Sequence, residues 1–137
     1  MIEIHNRFHG FPILQLQPIE VVITSGFFSM DTSKMEWSDP PRGYYQTEVK
    51  QKVLYKNEET GALMALLKFP VGLGDDLHSH PRANQHAFWL DGELKDDNNE
   101  RVPLKGIYIH FPKGVKHGKT IFTKESIALF YWDGPQK

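Results

Sequence analysis

The sequence predicts an all-β fold, a sandwich or barrel of short strands, on three observations. Turn signals built from Gly, Pro, Asn and Asp recur at short intervals, at 39–43, 57–61, 70–74, 91–92, 96–99 and 113–114. The segments between them are rich in β-branched, aromatic and aliphatic residues. No stretch carries a long apolar stripe of 3.6-residue period between helix caps. Many short strands separated by such turns are the pattern of a β-sandwich or barrel.

Taken in chain order, residues 1–36 are read as an N-terminal arm or edge strands. The run Ile13-Leu-Gln-Leu-Gln-Pro-Ile-Glu-Val-Val-Ile-Thr24 alternates as a strand does, but Pro18 withholds a ladder donor. Its apolar residues need cover, so an edge strand or an arm packed on a neighbouring subunit is expected. Residues 37–137 form the barrel, and the whole chain is one domain. Strands are expected at 49–55 and 63–69, on either side of the Asn57–Gly61 turn, and at 86–94 after the glycine-rich turn at 70–74. Further strands follow at 107–111, ended by Pro112, and at 120–123 and 127–132.

Composition narrows the function classes. A chain of 137 residues buries roughly two-thirds of its unfolded surface without a staple. It has no cysteine, which excludes a disulfide framework, a thiolate metal site and a cysteine nucleophile, and any metal must sit on nitrogen or oxygen. With 16 Lys+Arg against 17 Asp+Glu the formal charge is −1, so nothing pulls the chain toward nucleic acid or an anionic membrane. The N-terminus lacks the basic and apolar regions of a signal peptide, and the apolar runs at 62–67 and 127–132 are far too short to span a bilayer. A cytoplasmic protein is expected.

The chemistry lies in the histidines. His78 and His80 are two apart, and in a strand residues i and i+2 point to one face, so two imidazoles can share one metal. Downstream, Gly106-Ile-Tyr-Ile-His-Phe-Pro-Lys-Gly-Val-Lys-His117 reads as a strand, a Pro-x-Gly turn and a histidine returned toward the same interior. His86 and His110 lie close by, whereas His5 and His9 fall in the arm.

Gly72 or Gly74, His78-x-His80 and Gly92, followed by Gly106-x5-Pro112-x-Gly114-x2-His117, resemble the two signature motifs of the cupins, jelly-roll (double-stranded β-helix) barrels with a metal at the centre. The second motif matches except for its closing asparagine. The first departs from the pattern: after four intervening residues beyond the second histidine a glutamate is usual, and here the count lands on Gln85. The adjoining run His86-Ala-Phe-Trp-Leu-Asp-Gly92 is similar to the cupins that resemble the anti-sigma factor ChrR. Within that branch, 117–135, Trp37, the Glu59-Thr-Gly61 turn and 66–72 resemble the acetylacetone-cleaving and dihydroxyacetophenone-cleaving dioxygenases, non-haem iron enzymes that hold their metal with histidines alone. The resemblance covers about 37–135.

The ligand set it implies is His78, His80 and His117, with His86 or Gln85 as the fourth. A one-residue slip inverts the strand, so either His86, Phe88 and Leu90 face the lumen or Gln85, Ala87 and Trp89 do. Imidazole is the better ligand for a transition metal, which favours His86, with Gln85 as the alternative. Iron(II) is the metal the resemblance implies, and zinc or nickel also suit nitrogen ligands. Neutral imidazoles leave the charge of a dication uncompensated, which favours an anionic, oxygen-rich chelating substrate such as an enolised β-diketone or a hydroxyketone. Oxidative C–C cleavage is the implied reaction. The alternatives are a non-catalytic zinc or ligand sensor like the cupin module of ChrR, and an isomerase or hydrolase using the metal as a Lewis acid.

Lys119 and Thr120 follow His117 and are candidates to support the ligands, as is Glu125. Glu48, Glu58 and Glu59 are further carboxylates for that role, with solvated surface residues the plainer reading. Phe88, Tyr108, Phe130 and Trp132 are candidate pocket walls. His110 is read as a wall or a surface contact. A homodimer or homotetramer is expected from the family resemblance and the apolar arm.

Overall fold

The structure is a computed structural model that describes residues 21–24, 27–45, 48–73, 77–118 and 120–137. The arm over 1–20 lies outside the described residues. The described strands are β1 (Val21–Thr24), β2 (Phe27–Met30), β3 (Lys50–Lys56), β4 (Leu63–Phe69), β5 (Gly72–Leu73), β6 (Gln85–Asp91), β7 (Glu93–Lys95), β8 (Arg101–Pro103), β9 (Tyr108–Phe111), β10 (Ile121–Phe122) and β11 (Ser126–Trp132). Among the described residues the only helical element is a 3-10 turn, Thr32–Lys34, capped by Asp31, whose carboxylate accepts from the Ser33 amide at 3.0 Å.

The strands form two layers. One sheet has the order β3-β4-β11-β6-β9 and the other β5-β10-β7-β8, and every pairing within them is antiparallel. β1 and β2 form a separate two-stranded hairpin. The all-β prediction holds, with nonconsecutive neighbours such as β4-β11-β6 giving the jelly-roll crossings. β8, which sequence patterning did not reveal, is an edge strand. Its terminal Pro103 is tolerated there because an edge needs fewer donors.

The segment expected as one strand over 86–94 is two, and Gly92 is the reason. It sits at φ +148, and a Cβ there would lie 2.5 Å from Ser126 Oγ. Only glycine lets β6 turn out of the five-stranded sheet into β7 of the other while fully buried Ser126 passes beneath it.

The core fills the space between the layers. Alternate residues of β4 (Ala65, Leu67, Phe69), β6 (Ala87, Trp89) and β11 (Ala128, Phe130, Trp132) point inward, joined by Phe122 and Leu104. Alanines beside aromatics leave room for the rings, and Phe69, Trp89, Phe122 and Phe130 interlock with centroids 5.0–5.9 Å apart. Toward one end this packing opens into a cavity of about 770 Å³.

Candidate metal centre

His78 and His117 come together through the backbone. They form an antiparallel bridge with both hydrogen bonds made, His78 N–H to His117 C=O at 2.8 Å and His117 N–H to His78 C=O at 2.7 Å. The turn before His117 is held to the first motif as well. Val115 N–H donates to Pro112 C=O at 3.1 Å, Gly114 takes φ +77 as a type II turn requires, and Gly114 N–H donates to His80 C=O at 3.0 Å. The Pro-x-Gly spacing thus aims His117 at the His78-x-His80 pair. The three ring centroids are 4.4–5.0 Å apart, and one ligand nitrogen from each lies within 4.8 Å of the others.

Their surroundings suit metal binding. His80 Nδ1 lies 2.7 Å from the Gln136 carbonyl oxygen, which fixes the Nδ1–H tautomer, so that the ring's lone pair for a metal is on Nε2. His117 stacks on Phe111 with centroids 4.3 Å apart. Burial, with the two neighbouring imidazoles adding to it against a hydrogen bond to Val115 C=O, lowers its pKa from 6.5 to about 4. It is therefore neutral near pH 7, the form that binds metals. Among the described residues lining the cavity none is acidic. Three imidazoles could hold a divalent ion here, with no carboxylate side chain among the described lining residues to offset its charge.

The register of β6 corrects the expectation for the fourth position. Gln85 pairs with Trp132 and Phe111, and Ala87 pairs with Phe130 and Ile109, so Gln85, Ala87 and Trp89 face the cavity. His86 faces the other way. It pairs with Tyr131 and His110, stacks on His110 with centroids 4.4 Å apart, and has Nδ1 2.6 Å from the Tyr108 hydroxyl. Imidazole's advantage as a ligand cannot operate from the outer face, where the strand's alternation puts it. Gln85, the alternative, is the residue beside the three histidines, 5% exposed, with Oε1 accepting from Trp132 Nε1 at 2.9 Å.

The same register divides the expected pocket walls. Phe130 and Trp132 line the cavity, whereas Phe88 and Tyr108 are on the outer surface, 45% and 57% exposed. His110 is a surface residue with Nδ1 3.0 Å from Gln85 C=O. Thr120 lines the cavity and Lys119 lies outside the described residues. Glu125 is exposed in the turn between β10 and β11 and does not reach the site, and Glu48, Glu58 and Glu59 are likewise exposed.

Sequence reasoning missed Tyr44, Tyr45, Gln136 and Lys137, which lie at the cavity with Lys116. The last residues are anchored on the loop after His80: Asn84 donates to Asp133 through its amide nitrogen and side chain, both at 2.8 Å, and Arg82 donates to the Lys137 carbonyl. Lys137 then reaches across the cavity rim, Nζ donating to Gly43 C=O at 2.9 Å and lying 4.6 Å from the Tyr44 ring centroid. No spacing rule signals such a strap, though Gly134, where a Cβ would meet Arg82 C=O at 2.4 Å, marks the close approach that makes it.

Residues 25–137 match the family model of the ChrR Cupin-like domain. The chain belongs to the ChrR-like cupin family. Solved cupin structures agree with the fold. The chain is similar to an acetylacetone dioxygenase from Acinetobacter johnsonii (18% identity, TM-score 0.60, covering 82% of this chain and 76% of that one). It is similar to KdgF from Halomonas sp. (18%, 0.57, 78% and 92%). It is also similar to ChrR of Rhodobacter sphaeroides, solved in complex with SigE (22%, 0.54, 75% and 52%). No curated protein sequence matches this cupin.

Proposed function

We propose that this cupin is a non-haem iron(II) dioxygenase that cleaves a C–C bond in a small β-diketone or hydroxyketone. The observation that carries the reading is the cluster of His78, His80 and His117 facing a largely apolar cavity, with no carboxylate side chain among the described residues that line it. Bound iron would supply a Lewis-acidic centre with open positions for a chelating substrate and dioxygen. The chain's own residues do the rest. Phe69, Phe111, Phe130 and Trp132 exclude water and cover the apolar parts of a substrate. Lys116 and Lys137 place positive charge along the lining. Likeness to the acetylacetone dioxygenase supports this choice of substrate class.

Anaerobic reconstitution with iron(II), followed by oxygen-electrode assays over acetylacetone, other β-diketones and aryl hydroxyketones, tests it. Substrate-dependent oxygen uptake with carboxylate products is expected. No uptake across that panel by iron-loaded protein sinks the dioxygenase reading and favours a non-catalytic metal-binding module, which the likeness to ChrR supports.

A further inference from the structure

We infer that Gln85 is a specificity-determining hydrogen-bond donor of the cavity, its amide N–H groups presented to an oxygen-donor anion beside the three histidines, and that Trp132 fixes this polarity. The inference rests on the metal-centre reading above.

A carboxamide has an accepting end and a donating end, and which one faces a site depends on its neighbours. Here the neighbour decides. The indole N–H of Trp132 can only donate, so the Gln85 atom 2.9 Å from it is the oxygen. Trp132 is 1% exposed and its ring stacks on Phe130 with centroids 5.3 Å apart, so it cannot turn away. With its oxygen engaged, the amide presents nitrogen to the remaining space. Among the described residues that nitrogen has no acceptor. Trp89 Nε1 is the one described buried side-chain atom both sealed off and unpartnered, so the Gln85 nitrogen is one the cavity reaches.

An amide N–H that opens on the cavity without a protein acceptor is available to a ligand oxygen, and such a bond is stronger when that oxygen is charged. Phe111 and Trp132 flank Gln85 in register, and His80 and Trp132 have ring centroids 6.3 Å apart, so the donor and the imidazoles address one space. A glutamate at this position would offer only acceptors and a negative charge, opposing an anion or competing for the ion. The neutral donor selects instead for an oxygen anion that keeps a free lone pair, such as an enolate or a hydroxamate.

The test uses the full chain loaded with cobalt(II), whose visible spectrum reports coordination, and acetohydroxamate as the probe. Gln85→Met removes the donor and keeps the volume. It should bind cobalt as the parent does but acetohydroxamate about ten- to a hundredfold more weakly. Trp132→Phe, which frees the amide to turn, should weaken hydroxamate binding too, and adding Gln85→Met to it should then cost little more. Gln85→Leu, which also lacks the donor and adds no charge, should show the same weakening and serves if the methionine variant loses its circular dichroism.

Unchanged hydroxamate affinity in folded Gln85→Met overturns the inference while leaving the metal centre standing. Loss of cobalt from that variant, as severe as in His117→Ala, makes Gln85 a ligand and overturns it as well. If the parent takes up no cobalt, the metal-centre reading itself falls.

Discussion

Ending the chain at Pro135 should weaken metal binding without unfolding the barrel, because the last two residues orient one ligand rather than fill the core. His80 loses the 2.7 Å contact between Nδ1 and the Gln136 carbonyl, the interaction that sets its tautomer and ring angle. Loss of such an outer hydrogen bond typically costs about ten- to a hundredfold in metal affinity, or about 1.4–2.7 kcal/mol. The contacts of Lys137 with Gly43, Tyr44 and Arg82 are lost as well, but these lie at the exposed rim. Trp132 and Gly134, both buried, remain in place, so the unfolding free energy of the metal-free protein should change by about 1 kcal/mol or less. Zinc titration against a competing chelator, with urea denaturation in parallel, separates the two quantities. Gln136→Ala is the control. It keeps the backbone carbonyl and should bind zinc like the parent. Parental affinity in the truncated protein refutes the argument, as does an equal loss in Gln136→Ala, which would move the effect to the side chain.

The outer-face position of His86 predicts that His86→Ala keeps its metal while His117→Ala loses most of it, read by metal analysis on dialysed protein. Gly92→Ala forces a Cβ to within 2.5 Å of Ser126 Oγ at φ +148, and should lower stability by about 2–4 kcal/mol in urea denaturation. In chelator, stability should fall with pH between about 6.5 and about 4. In that window the unfolded chain protonates His117 while the half-buried ring of the folded state stays neutral, so the unfolded state binds more protons. The loss is on the order of 1–2 kcal/mol after discounting for a half-exposed ring, and melting temperatures measured from pH 7 to 4.5 should show it absent in His117→Gln. Lys116→Gln should reduce the rate of anionic ligand capture at low salt, with the difference from the parent shrinking as salt rises, in stopped-flow measurements.

How far the site could be read in advance depended on which rule placed each residue. His78, His80 and His117 were legible because local chemistry fixes them: a two-residue spacing, and a Pro-x-Gly turn that reverses the chain at a set position. β6 was not. Its residues 85–91 read Gln-His-Ala-Phe-Trp-Leu-Asp, with an aromatic on either face, so periodicity does not choose between Trp89 and Phe88 as the inward ring. The choice is made across the sheet. Trp132, Phe130 and Ala128 on β11 face inward, and their register partners Gln85, Ala87 and Trp89 must follow them. Counting past four intervening residues after His80 pointed to Gln85, and ligand preference pointed to His86. The count was the better guide because it reflects backbone geometry, which a favourable side chain cannot change by itself. The strap at 133–137 was illegible for a different reason: its contacts with Arg82, Asn84 and Gly43 span about fifty to ninety residues of sequence, and no short-range signal encodes them.

The pairing of β6 with β11 also ties the fold to the polarity of the site. Trp132 serves the core through its ring and the cavity through its indole N–H, and the register that buries the one delivers the other to Gln85. Because the indole can only donate, closing the sheet in this register makes the residue at the usual glutamate position present N–H groups. The described cavity then contains three imidazoles, one oriented amide and two lysines, with no carboxylate side chain among its described lining residues. A divalent ion placed there has its charge balanced only by what enters with it. On the proposed reading, anion preference would follow from two substitutable choices in the chain, glutamine at 85 and tryptophan at 132, rather than from the barrel itself, which other cupins share. The rim lysines act over distance and are screened by salt, whereas the amide acts on contact. The first should govern how often an anion arrives and the second how long it stays.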